Sequence, residues 1–142
     1  MRNIRYESNS KKILIINDKP DYLERIKTIL ENTNHTVKVS YNSEEGFEAI
    51  EKERFDLLIL DMMMGYGMEG ILFARKIRQD QRFNDLAVLM TVNKEEQTDF
   101  YYLGDNINPN FFHANDFMKT TFDCELLLNK VNTLLETEPK HR

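Results

Sequence analysis

The sequence predicts an open, doubly wound α/β sheet: five parallel strands with helices on both faces. Three observations carry this. The runs KILIIND (12–18), FDLLILD (55–61) and LAVLMTV (86–92) are short, rich in Ile, Leu and Val, and lack period-2 alternation. That is how strands buried on both faces of a parallel sheet read. Helical patterns separate the runs, so strand and helix alternate along the chain. The chain has 142 residues, which suits one domain with one layered core.

The elements follow in order. Residues 1–10 are expected to be a flexible terminus before the first strand. Pro20 suits a first helical turn, and Tyr22, Leu23, Ile26, Ile29 and Leu30 recur behind it at helical spacing. TVKVS (36–40) alternates and reads as a more exposed strand. Asn42 with Glu45 three residues on forms a capping-box pattern before Phe47 and Ile50. Ile71, Ala74 and Ile77 share one face of the next helix. DFMK (116–119) is the candidate fifth strand. The last helix, about 123–136, carries Leu127, Leu128, Val131, Leu134 and Leu135, and 137–142 forms a tail. The domain is therefore expected to span 11–136.

Composition excludes several classes of function. Net charge is −5 with no basic patch, which disfavours nucleic acid. No run approaches the length of a membrane span, so a cytoplasmic protein is expected. The lone Cys124 lies within an apolar pattern and is expected to pack. His35, His113 and His141 show no zinc-ligand spacing. G-x-G-x-x-G after the first strand and a P-loop are both lacking, which argues against nucleotide cofactors.

The chemistry gathers at two aspartates. Asp18 and Asp61 each stand where a buried apolar run stops, so two strands deliver acids to the carboxyl edge of the sheet, where such folds bind ligands. Converging carboxylates repel, and a hard divalent cation relieves this. Mg²⁺ needs only one or two carboxylates besides water and phosphate oxygens. An aspartate beside Mg²⁺ can attack a phosphoryl donor to give an acyl phosphate.

KILIINDKP, DLLILDMMM with GMEG, GILFARKIR and NDFMKTTFDCELL resemble the receiver domains of response regulators, the CheY-like family, over about residues 11–136. The resemblance implies the flavodoxin-like receiver fold. It makes Asp61 the phosphoacceptor, with Mg²⁺ held by Asp18, Asp61 and the Met63 backbone carbonyl. Thr91 and Lys119 would contact the phosphoryl group, and Phe117 would be the aromatic that reports the state. A histidine kinase or phosphotransfer protein is the implied partner.

The sequence departs from that pattern in several places. Asn17 stands where the family has the first acid of a pair, and its amide can hold only a metal-bound water. The loop MMMGYGMEG lacks a proline, and Gly65, Gly67 and Gly70 are read as positions free to turn at positive φ. Met62, Met63 and Met64 are read as pocket or core lining. Two registers compete on the fourth strand, placing either Thr91 or Val92 at the hydroxyl position. An ungapped alignment puts Thr120 on the lysine position, so Lys119 reaches the pocket only through a slip or bulge. Residues 93–115 predict an irregular or shortened fourth helix. Phe100, Tyr101, Tyr102, Phe111 and Phe112 there either cover the sheet or form a partner-binding patch.

The expected function is a stand-alone receiver, not an enzyme, signalling through protein contacts. The alternative is a pseudo-receiver that acts as an interaction module without phosphorylation. An aspartate-nucleophile phosphatase is disfavoured because Asp61-Met62-Met63 supplies no second acid.

Overall fold

Leucine and isoleucine runs with no polar interruption have only one stable destination, the middle of a sheet covered on both sides. The computed structural model describes residues 10–65, 67–92, 113–121 and 123–136. Its strands are β1 (Lys12–Ile16), β2 (Thr36–Ser40), β3 (Leu57–Asp61), β4 (Ala87–Val92) and β5 (Asp116–Lys119). The helices among the described residues are α1 (Pro20–Glu31), α2 (Ser43–Lys52), α3 (Glu69–Arg78) and α4 (Cys124–Glu136). All strand pairs are parallel, in the order β2-β1-β3-β4-β5. The segment 93–112, with the expected irregular helix and its aromatic cluster, lies outside the described residues. So do 1–9 and the tail 137–142. Ser10 is already anchored, its hydroxyl donating to the Asn34 carbonyl at 2.7 Å.

Strand alternation sorts the core into two halves. Ile13, Ile15, Leu57, Ile59, Leu89 and Met118 face α1 and α4, meeting Leu23, Ile26, Leu30, Leu127 and Val131. Leu14, Ile16, Leu58, Leu60, Val88 and Met90 face the other way, meeting Ile50, Ile71, Phe73, Ala74 and Ile77. Each such side chain is worth about 1.5–3 kcal/mol when withdrawn from water.

Local signals explain the helix ends. Pro20 opens α1, where its missing N–H costs nothing. The Asn42 side chain caps α2 by accepting from Glu45 N–H at 2.8 Å. The Glu45 carboxylate reaches back to Tyr41 N–H at 3.0 Å, one residue before the usual capping-box target. At the end of α3, Arg78 donates to the carbonyls of His113, Phe83 and Asn84 and to the Asn115 side chain, at 2.9–3.3 Å. It thereby clamps the helix to the start of β5. Cys124 departs from expectation. It is exposed as the first residue of α4, one turn before the buried stripe begins at Leu127.

Candidate functional site

The order β2-β1-β3-β4-β5 reverses its winding between β1 and β3, and open sheets of this kind bind ligands at the carboxyl ends of the strands beside such a reversal. Asp61 is the last residue of β3 and is 6% exposed. Asp18 follows β1 by two residues. Asp61 pairs in register with Thr91, and the Thr91 hydroxyl donates to its carboxylate at 3.3 Å. Register thus selects Thr91 over Val92, because paired residues in parallel strands share a face and Val92 falls on the other one.

The Asp18 carboxylate accepts from Gly65 N–H at 3.0 Å and lies 3.6 Å from the Lys19 ammonium. The loop after β3 is therefore tied to the end of β1. Asn17 is buried, and its side-chain oxygen accepts from Lys19 N–H at 2.9 Å, an Asx turn that shapes the exit from β1. The Met62 and Met64 carbonyls are engaged by Ile71 N–H (3.2 Å) and Gly67 N–H (3.0 Å), with that of Met63 between them. The side chains of Met62 and Met64 are buried in the core and that of Met63 is half-buried, as lining residues should be.

Two of the loop's glycines turn at positive φ, Gly65 at 59° and Gly67 at 121°. Gly70 does not, contrary to expectation. It lies in the first turn of α3, where an added Cβ would fall 1.8 Å from the Asp61 carbonyl oxygen. Its requirement is close approach of the helix to the strand end, not backbone handedness.

Lys119 is also corrected. The β4–β5 ladder runs without slip from Leu89↔Asp116 to Val92↔Lys119, and Thr120 N–H continues it to the Val92 carbonyl at 2.8 Å. Alternation therefore sends Lys119, which is exposed, off the face opposite Asp61. Phe117 shares that opposite face, half-buried against the cluster containing Met62, Met64 and Met90.

Tyr22 was read from the sequence only as part of an apolar helical stripe. In the structure its hydroxyl donates to the Thr120 carbonyl at 3.2 Å. Burial first, and then the Asp61 charge, push its ionisation well above the ordinary phenol range. The missed signal is its position in the turn of α1 nearest the strand ends.

A magnesium site is tested by the donor chemistry. Asp18, Asp61 and the Met63 carbonyl offer hard oxygens only, from the ends of adjacent strands, and this suits Mg²⁺. Among the described residues no group of three or more His, Cys, Asp or Glu converges to hold a metal, so a denser cage of such ligands is not seen there. No helix among them is long and apolar enough to cross a membrane.

Comparisons with known proteins bear on the family and the fold. The family model described as the response regulator receiver domain matches residues 13–132. The chain belongs to that family: it is a receiver domain of the two-component systems, a signalling module. It is 29% identical over 129 residues to the response regulator ArlR of Staphylococcus saprophyticus, covering 91% of this chain and 54% of that protein. The chain thus spans about half the length of that relative. Among solved structures it resembles the receiver domain of sensor histidine kinase PA1611 from Pseudomonas aeruginosa, which has a magnesium ion in its active-site cleft. That likeness has a TM-score of 0.76 at 17% identity, covering 90% of this chain and 99% of that one. It also resembles TrrA of Thermotoga maritima, solved in complex with Mg²⁺-BeF, with a TM-score of 0.71 at 23% identity over 87% and 98% of the two chains. These two structures speak to the fold.

Proposed function

We propose that Asp61 accepts a phosphoryl group from a histidine kinase or phosphotransfer protein and that the domain signals through protein contacts. The observation that carries this is the Asp61 carboxylate at the carboxyl end of a buried strand, with the Thr91 hydroxyl 3.3 Å away. An Asp61 oxygen attacks phosphorus, and an aspartyl P–O bond forms. The bond from phosphorus to the donor breaks, and the donor leaves with the electron pair. Burial keeps Asp61 from bulk water, and the register with β4 holds Thr91 where its hydroxyl can donate to a phosphoryl oxygen. Asp18, Asp61 and the Met63 carbonyl would hold Mg²⁺, with Asn17 acting through a water. The ion supplies neutralisation of charge on the transferred group. Phe117, on the opposite face of β5, is the residue expected to report the change.

The test is incubation with acetyl phosphate and Mg²⁺ followed by intact mass. A single phosphoryl adduct is expected on wild type and none on Asp61→Asn. An unlabelled wild type, under conditions that label an ordinary receiver, overturns the reading. The second reading is a phosphorylation-independent interaction module. Asn17 in place of an acid and the engagement of Asp18 by Gly65 favour it. It requires that Asp61→Asn leave partner binding unchanged.

A further inference from the structure

Helices α2 and α3 pack on the same half of the core and run in the same direction, since each follows a strand of one parallel sheet. Three contacts hold them level. Glu69 accepts from Ser43 N–H at 3.4 Å where both helices begin, the Phe47 and Phe73 rings meet edge to face at 6.3 Å, and Arg82 binds Glu51 at 3.3 Å near their ends. Their outer faces differ in kind. On α2, Glu44, Glu48 and Glu51 recur at helical spacing and are exposed. On α3 the corresponding stripe is Met68, Leu72 and Arg75, with Lys76 exposed beside it. Met68 is 49% exposed and Leu72 54%, and the exposed Tyr41 stands just ahead of α2. Among the described residues, Glu44, Glu48 and Arg75 enter no ion pair.

We propose that this face binds a second copy of the chain, with α2 of each copy lying on α3 of the other. The charge pattern selects that occupant. An acidic stripe stands beside a basic and apolar one on parallel helices, so the surface is its own complement. A twofold axis running along the helices lays each stripe on the opposite one at the same height. Counted from Ser43 and Glu69, Glu48 then comes nearly level with Arg75 of the second copy, and Tyr41 with Met68 of the second copy. Two acidic stripes face to face would repel, which disfavours the other symmetric arrangement. Each helix is roughly 15 Å long, so the interface is small and the association reversible. It makes no use of Asp61.

The experiment is sedimentation velocity of the full chain from about 1 μM to about 1 mM, the range over which so small an interface dissociates, in low and in high salt. Wild type should move toward dimer mass as concentration rises, and salt should weaken the effect. Glu48→Arg or Arg75→Glu alone should weaken association roughly tenfold or more, because the twofold makes each substitution act twice. Leu72→Ser should weaken it as well. A mixture of Glu48→Arg and Arg75→Glu chains should associate more tightly than either does with itself, since the mixed pair regains both opposite-charge contacts. All these positions are exposed, and urea unfolding checks that each variant folds. A wild type that stays monomeric throughout overturns the second copy as occupant of this face. Dimers that the single charge variants leave intact, or a mixture no tighter than its components, overturn the pairing of α2 with α3.

Discussion

Gly70→Ala sets two effects of opposite sign against each other. Gly70 lies inside α3, and helix propensity alone favours alanine there by about 1 kcal/mol. The added Cβ would meet the Asp61 carbonyl oxygen at 1.8 Å and the Met62 carbonyl oxygen at 2.6 Å. To reach even 3.0 Å from the first, helix and strand end must part by about 1.2 Å. Both obstacles are backbone atoms and cannot turn aside as a side chain would. Overpacking of this kind costs about 1–3 kcal/mol, and backbone against backbone belongs at the upper end. The net expectation is a loss of about 2 kcal/mol, a fall in Tm of roughly 8 °C at this chain length. Urea and thermal unfolding measure it directly. An equal or higher midpoint for Gly70→Ala would show that α3 is not held against Asp61 and would refute the packing argument. The same displacement moves the Asp61 backbone, so phosphoryl labelling should fall as well.

Other expectations follow from single contacts. Arg78→Lys loses the planar fork that serves several acceptors at once, and should cost about 2 kcal/mol in urea unfolding. His35 is held below its ordinary pKa, first by burial and then by the Lys11 ammonium, and its Nδ1 accepts from Lys11 N–H. The unfolded chain therefore takes up the proton first. Its contribution to stability is complete above the ordinary histidine value and is lost as pH falls through the folded one. His35→Gln should flatten that part of the pH-stability profile in a urea series. Asn17→Asp adds a charge to the crevice while keeping an oxygen for Lys19 N–H, and should tighten Mg²⁺ binding several-fold by titration.

The strands were legible because their apolar runs leave no other placement, and DFMK (116–119) proved to be β5 residue for residue. Asp18 and Asp61 were legible as the polar stops of those runs. What escaped was whatever depends on the distance between elements. Gly70 looks like a turn glycine in the sequence, because nothing there reveals a carbonyl waiting against its α-carbon. Lys119 was the natural cation to reach for, yet an unbroken ladder gives it the wrong parity by one residue. Tyr22 reads as part of a helical stripe, and only the docking of α1 beside the end of β5 brings its hydroxyl to the Thr120 carbonyl.

The strand order has a further consequence, at the margins of the sheet. Among the described residues β2 and β5 are its two edges, and an edge strand offers backbone groups that another chain could pair with. Both are short. β2 turns Lys38 outward, paired with Glu53 at 2.7 Å, and β5 ends on the exposed Lys119 with Asp116 bound to Lys130 at 2.9 Å. Adding a strand to either side would crowd and desolvate these charged side chains. The lysine on the face away from Asp61 thus discourages pairing at that edge of the sheet.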